Sequence, residues 1–376
     1  MSQKEQIVIY GSGAIGRGFL APIFDKLGYR INFVDKNPLL INSLKSRNIY
    51  RTAFSNHNNY NIIKVRYENA FLLGDEDKIL NSTDIVFSCV GPNNISDFAY
   101  KLRNVRRIIS FENDRESAEK IRKMSGNENC YFGIPDVITS NDRPDSLKKI
   151  DPLCLVSEYG DIVIEKGNFY FPEKIKECSR EELEKYWNCK FYLHNTPHAA
   201  AAFLGKLFGK KYVHESTKIP IINSIVGSVM ESTKNAMKLK GMAEDDFIDY
   251  YAKKEVERFR DLRLFDPIER VARDPIRKLR NNDRLMGSAK IMQETNQNME
   301  AMLIVIDVVI QDALINYSKQ LLDILRERPS KYLILKRICG LEENNPLFKK
   351  ILDQNNDSLL LSHHAAHAGH VGHGGF

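Results

Sequence analysis

The chain has 376 residues, 43% of them apolar and 28% charged, with a formal charge of +6. Such a length exceeds one packed core and the composition is that of a globular protein, so two or three domains are expected, with order everywhere but the ends. The charge is mild and no long Lys/Arg block accompanies it, which argues against nucleic acid; the longest apolar stretch, Ala301–Ile310, is broken by Asp307 and falls short of the ~20 residues of a membrane span. The six cysteines form no CxxC pair and no apolar segment follows Met1, so reduced thiols and a cytoplasmic location are expected.

The first element is a buried strand, Ile7-Val8-Ile9-Tyr10, stopped by Gly11. Gly13 and Gly16 follow, then a helical pattern through Phe19, Leu20, Ile23 and Leu27, ended by Gly28. A second strand, Arg30 to Val34, closes on Asp35. Further strands read at Asp84–Val90, stopped by Gly91-Pro92, and at Arg107–Phe111, stopped by Glu112-Asn113. Strands alternating with helical patterns predict an α/β fold with a doubly wound, mostly parallel sheet. Extended segments between Leu153 and Tyr170, such as Asp161–Ile164, read as late strands appended to that sheet. From about residue 180 helical spacing dominates: Pro197–Phe208, Pro220–Leu239, Asp245–Arg258, Met299–Leu325 and Ser330–Cys339. The expected organisation is a Rossmann-type domain over 1–185, a largely α-helical domain over 186–355, and a tail over 356–376. The tail holds five of the nine histidines among Gly and Ala; it reads either as a metal-binding tract or as an untethered terminus.

Gly11-x-Gly13-x-x-Gly16 stands where a dinucleotide-binding loop requires it, after a strand and at the start of a helix, with Asp35 19 residues beyond Gly16. Gly11 would permit the tight turn, Gly13 the approach of the pyrophosphate, and Gly16 close packing of helix on strand. The helix start, at Ala14 and Ile15, would offer N–H groups to the phosphates. Asp35 would accept the ribose hydroxyls and repel a 2′-phosphate, which favours NAD over NADP, although Lys36 beside it could tolerate some NADP. Val90 and Gly91 would run beside the cofactor, or simply end the strand. The alternative for the whole loop is a Gly-rich turn with a capping Asp.

The second half carries Lys190-Phe191-Tyr192-Leu193-His194-Asn195-Thr196-Pro197-His198, followed by Ala199–Ala202. Thr196 is suited to N-cap a helix with Pro197 at its first position. His198 would then lie in the first turn, where the helix dipole disfavours imidazolium. Lys190 could act as a general base only if burial or a nearby cation lowered its pKa, and Asn195 could donate to a developing oxyanion. The alternative is a capped helix with a solvated lysine and a structural histidine. Six cations between Arg270 and Arg284 (Arg270, Arg273, Arg277, Lys278, Arg280 and Arg284) read either as surface pairing or as an anion-binding wall.

These residues together resemble the polyol-specific long-chain dehydrogenase/reductase family, the mannitol dehydrogenase family. The resemblance is carried by Gly11–Gly18, Val90-Gly91-Pro92, Glu112-Asn113, the ungapped Lys190…Asn195…His198 spacing, Leu204–Leu207, Arg270–Leu279 and Asp283-Arg284-Leu285, and runs from about residue 7 to 340. It implies a metal-independent oxidoreductase that uses NAD. From charge and hydropathy no membrane or nucleic-acid partner is expected, and the expected state is a monomer or small homo-oligomer. The resemblance implies Lys190 as general base, Asn195 and Asn113 as an oxyanion pocket, and His198 as the holder of a neighbouring hydroxyl or of Lys190. It further implies that Asp136, Arg270 and Lys278 line the substrate; Arg273, which falls near them, and less directly Arg277 are candidates for phosphate contact. The chain length is that of the branch acting on phosphorylated polyols, so interconversion of mannitol 1-phosphate and fructose 6-phosphate is expected. A free polyol or sugar acid as substrate, or a non-catalytic NAD-binding protein, are the alternatives. Two departures stand out: Val137-Ile138 follows Asp136 where the family has Arg-Ile, and Trp187 stands where some members carry a proton-relaying carboxylate.

Overall fold

The computed structural model describes residues 5–354 apart from 57, 168, 170 and 172–174; the His-rich tail lies outside the described residues. The chain divides into two compact units, Met1–Trp187 with Arg263–Phe265, and Asn188–Leu262 with Asp266–Phe376.

The first unit is built on β1 (Gln6–Tyr10), β2 (Arg30–Asp35), β3 (Ile49–Ser55), β4 (Tyr60–Arg66), β5 (Asn69–Leu72), β6 (Ile85–Ser88), β7 (Arg107–Ser110), β8 (Cys130–Asp136), β9 (Thr139–Ser140), β10 (Val156–Glu158), β11 (Asp161–Glu165) and β12 (Ile175–Cys178). The main sheet has the order β12-β11-β8-β7-β6-β1-β2-β5. All its pairings are parallel except β8 with β11. The continuous burial of β1, β6 and β7 explains their unbroken apolar runs, since helices cover both faces of a parallel sheet. Strand order reverses between β1 and β6, so the carboxyl ends of these strands flank a crevice in which the fold class binds ligands. One core ties the layers together: Phe24, from the helix Ala21–Lys26, meets Phe87 and Phe171 edge-on at 4.7 and 5.8 Å between ring centroids.

Strand β11 does extend the main sheet, with the unanticipated β12 beyond it, but β10 does not. Strand β10 joins a second sheet, β4-β3-β10-β9, built on the hairpin β3–β4 that the sequence reading did not identify. The outer strand β4 is mostly solvated and lacks the continuous apolar run used to recognise strands elsewhere. Arg263–Phe265 is bound to this sheet by Tyr60 Oη to the Arg263 carbonyl (2.7 Å) and Ser140 Oγ to the Phe265 carbonyl (2.7 Å).

The second unit is helical. Its centre is Thr196–Leu207, whose Ala199–Ala202 are fully buried and which packs against Pro220–Leu239 and Glu300–Asn316. Small side chains here permit close approach; a Cβ on Gly205 would lie 1.9 Å from Ser216 Oγ. The expected single helix Met299–Leu325 is two, Glu300–Asn316 and Ser318–Leu325, bent by 94°. The break falls at Tyr317 (φ −128°, ψ 24°), which is neither Gly nor Pro, so no sequence punctuation marks it.

Candidate active site

The loop after β1 has the geometry its glycines predict. Gly11 has φ +91°, and a Cβ on it would lie 2.3 Å from the Cys89 carbonyl oxygen. A Cβ on Gly16 would lie 2.1 Å from the Gly11 carbonyl oxygen, whereas one on Gly13 would meet nothing within 4 Å. The first and third glycines are thus demanded by the protein's own packing, and the space over Gly13 is left for a ligand. Helical winding begins at Ala14 and Ile15, both half-buried. Buried Arg17 braces the loop from behind, donating from Nε to the Ser12 carbonyl (2.7 Å) and from a terminal nitrogen to the Leu153 carbonyl (2.6 Å). Asp35 accepts from the backbone N–H groups of Ser12 (2.7 Å) and Asn37 (2.9 Å), so the same carboxylate shapes the loop and faces the cleft. That cleft, about 150 Å³, is lined by Gly11, Gly13, Asp35, Val90 and Phe98 among others. Lys36 Nζ donates to Asn94 Oδ1 at its rim (2.7 Å).

Val90 lines this cleft, but the N–H groups of Val90 and Gly91 do not point into it. Both donate to the Glu112 carboxylate (2.8 Å each), which also accepts from Ser88 Oγ (2.6 Å). Glu112 received no role from the sequence. Its neighbour Asn113 is exposed on the turn after β7, and Asp136 is buried at the end of β8.

In the second unit Lys190 and Asn195 lie on one π-wound turn, Cys189–Asn195, that runs directly into Thr196–Leu207. The expected helix start at Thr196 is therefore wrong. Thr196 has helical φ and ψ, and its hydroxyl is bound to the Arg284 carbonyl (3.1 Å) and Ser288 Oγ (2.8 Å). No N-terminus faces His198, so the dipole argument does not apply; a carboxylate meets the imidazole instead. His198 Nε2 donates to Asp266 Oδ2 (2.6 Å), and Asp266 Oδ1 accepts from Arg270. Asp266 is fully enclosed. Burial alone would raise its pKa, but Arg270 and His198 outweigh that and hold the carboxyl well below the usual range. Phe259 stacks on His198 at 5.2 Å and 9°, which fixes the plane of the ring. Alongside, His194 Nδ1 is bound to the buried Glu255, itself held by Arg258.

Asn195 Nδ2 is buried with no hydrogen-bond partner. An orphaned amide donor costs free energy unless a ligand acceptor meets it, so this atom fits an incoming substrate oxygen.

The cation cluster is not one wall. Arg270 is held by Asp266, and Arg277 is 3.1 Å from Asp283, which also holds buried Arg284 at 2.9 Å. Lys278 is 3% exposed and donates to the Arg273 carbonyl. Burial, then Arg284 and Arg277, depress its ammonium to about 6. Arg273 itself is exposed. Asp266 was missed in sequence, although its spacing four residues before Arg270 was a usable signal. Among the described residues no group of three or more His, Cys, Asp or Glu side chains could hold a metal ion.

A chain that combines a Rossmann-type sheet with a helical unit holding a lysine, an orphaned amide and a carboxylate-backed histidine has the parts of a nucleotide-dependent dehydrogenase. Residues 5–153 match the mannitol dehydrogenase Rossmann domain and residues 182–319 the mannitol dehydrogenase C-terminal domain; the chain belongs to the mannitol dehydrogenase family. Mannitol-1-phosphate 5-dehydrogenase of Thermoanaerobacter pseudethanolicus is 30% identical, over 92% of this chain and 96% of its own. The enzyme of that name from Enterococcus faecalis is 29% identical, over 93% and 97%. Among solved structures, mannitol 2-dehydrogenase of Pseudomonas fluorescens, in a ternary complex with NAD and D-mannitol, is similar with a TM-score of 0.75, covering 97% of this chain and 94% of its own at 15% identity. The expected resemblance and fold class are thus borne out.

Proposed function

We propose that this enzyme, an NAD-dependent polyol dehydrogenase, interconverts mannitol 1-phosphate and fructose 6-phosphate with Lys190 as the general base. The observation that carries the reading is the set on one helical run: Lys190, the unpartnered Asn195 amide, and His198 held by Asp266. The phosphorylated substrate is supported by relatives of that name matching more than nine-tenths of the chain.

Gly11, Gly13, Ala14, Ile15 and Gly16 would hold the pyrophosphate of NAD, and Asp35 its adenosine ribose. When bound, NAD supplies the hydride acceptor. Lys190 Nζ takes the proton of the substrate hydroxyl, and Asn195 Nδ2 donates to that oxygen as charge develops on it. His198, its Nε2 committed to Asp266, presents Nδ1 as an acceptor for a neighbouring hydroxyl. Arg270 and Lys278 line the substrate, and Arg273 meets its phosphate. Asn113 and Asp136 are assigned to the substrate on family resemblance alone.

The test is a panel of phosphorylated and free polyols and sugars with both nicotinamide cofactors. The proposal expects fructose 6-phosphate with NADH to be reduced far more efficiently than fructose; equal efficiency would replace it with a free-polyol enzyme, and no turnover of any member with a non-catalytic binding protein.

A further inference from the structure

The Glu112 carboxylate is 4% exposed and has no ion-pair partner among the described residues. Three donors converge on it: the Ser88 hydroxyl and the successive backbone N–H groups of Val90 and Gly91. Successive N–H groups aimed at one point form an anion-binding concavity, and here the protein fills it with its own side chain. Gly91 has φ +92°, a conformation that the carboxylate holds from below. On its outer side the loop is closed by Asn94, which donates from Nδ2 to the Val90 carbonyl (2.8 Å) and from its backbone N–H to the Gly91 carbonyl (2.9 Å). Every polar backbone group of Val90 and Gly91 is thereby committed, and Val90 is left to face the cleft with its side chain.

We propose that Glu112 is a positioning residue for the cofactor: its ionised carboxylate sets the shape of the Val90–Gly91 loop and hence the affinity of the dinucleotide cleft. The inference rests on the reading of that cleft as the NAD site. Its charge state is consequential because a protonated carboxyl loses acceptor capacity against three donors. Besides those donors, the Asp114 carboxylate acts on it from its own turn and the Cys89 thiol lies nearby. Burial is the largest influence and lifts Glu112 above the ordinary carboxylate range, with Ser88, Val90 and Gly91 opposing. Cofactor binding should therefore weaken with acid sooner than an ordinary carboxylate would predict.

The experiment is titration of the full-length protein with NADH, read by fluorescence in the absence of substrate, from pH 8 down to pH 5. Glu112→Gln keeps size but turns one acceptor into a donor facing a backbone N–H. It should weaken NADH binding about 10- to 100-fold at pH 8 and abolish the pH dependence. Glu112→Asp, which keeps both acceptor oxygens, should recover part of the affinity. A folded Glu112→Gln protein with lowered melting temperature but NADH affinity within about twofold of wild type would overturn the proposal and leave Glu112 a structural residue. Should Glu112→Gln fail to fold, wild type and Ser88→Ala decide. Loss of one donor should move the acid limb of NADH binding to higher pH, and a wild-type profile flat over the range, or coincident profiles, would overturn the proposal. Absence of NADH binding by wild type would instead remove the assignment of the cleft itself.

Discussion

Lys278 lets a side chain assigned to the substrate be weighed against stability. Replacing it by Met keeps an unbranched chain of similar length in a site that is 3% exposed. The lysine's pKa falls from the ordinary 10.5 to about 6 in the folded protein, first through burial and then through Arg284 and Arg277. Between those values the unfolded chain holds a proton that the folded chain lacks, so wild-type stability must rise with pH across the window. At pH 7 the penalty amounts to at most ~5 kcal/mol, at about 1.4 kcal/mol per pH step. Losing the hydrogen bond to the Arg273 carbonyl returns only ~1 kcal/mol of that. Lys278→Met should therefore be more stable than wild type at pH 7 by up to ~4 kcal/mol. The advantage should shrink steadily towards pH 10.5. Denaturant unfolding at several pH values measures it directly. A variant no more stable than wild type at pH 7, or an advantage independent of pH, would refute the reasoning. If the lysine serves the substrate, the stabilised variant should also lose activity.

Four further outcomes are expected. Lys190→Ala should lower kcat by at least ~100-fold while leaving the NADH dissociation constant unchanged, since the Gly loop lies in the other unit; near-normal turnover would show the motif to be structural. Asp266→Asn should lower kcat/KM about 10- to 100-fold without changing NADH affinity; because the folded carboxyl is depressed, its destabilisation should be full at neutral pH and fade only as pH falls below about 4, which acid unfolding curves would show. Asp35→Ala should narrow the preference for NADH over NADPH in steady-state kinetics, and equal efficiency in wild type would contradict the role given to this acid. Arg273→Ala should cost fructose 6-phosphate about 10- to 100-fold in kcat/KM and fructose far less; an unchanged preference would move the phosphate contact to another cation.

The main sheet was legible because its central strands are buried on both faces and each is stopped by Gly or a polar turn, as at Tyr10-Gly11 and Val90-Gly91. The hairpin β3–β4 was not, because β4 is mostly solvated and carries no apolar run. At the candidate site the residue types were legible and their surroundings were not. Thr196-Pro197 has the composition of a helix start, yet winding continues through it because the Thr196 hydroxyl is claimed by Arg284 and Ser288, far away in sequence. Likewise nothing local distinguishes Arg273, which is exposed, from Lys278, which is buried; that difference comes from how Pro275–Lys278 packs in the helical unit.

The π-wound turn Cys189–Asn195 amounts to one residue more than an α-helix of the same rise would contain. In ordinary winding, at roughly 100° per residue, groups five apart such as Lys190 and Asn195 would diverge by roughly 140° around the axis. The wider turn, closed by i→i+5 hydrogen bonds, brings that pair back towards one side. The spacing that marks the motif in sequence is therefore tied to a helical defect. A single deletion within the turn would relax it to regular winding and swing Lys190 away from Asn195 while leaving the composition of both flanking helices intact. The turn's length, as much as its side chains, is what a drifting sequence must preserve.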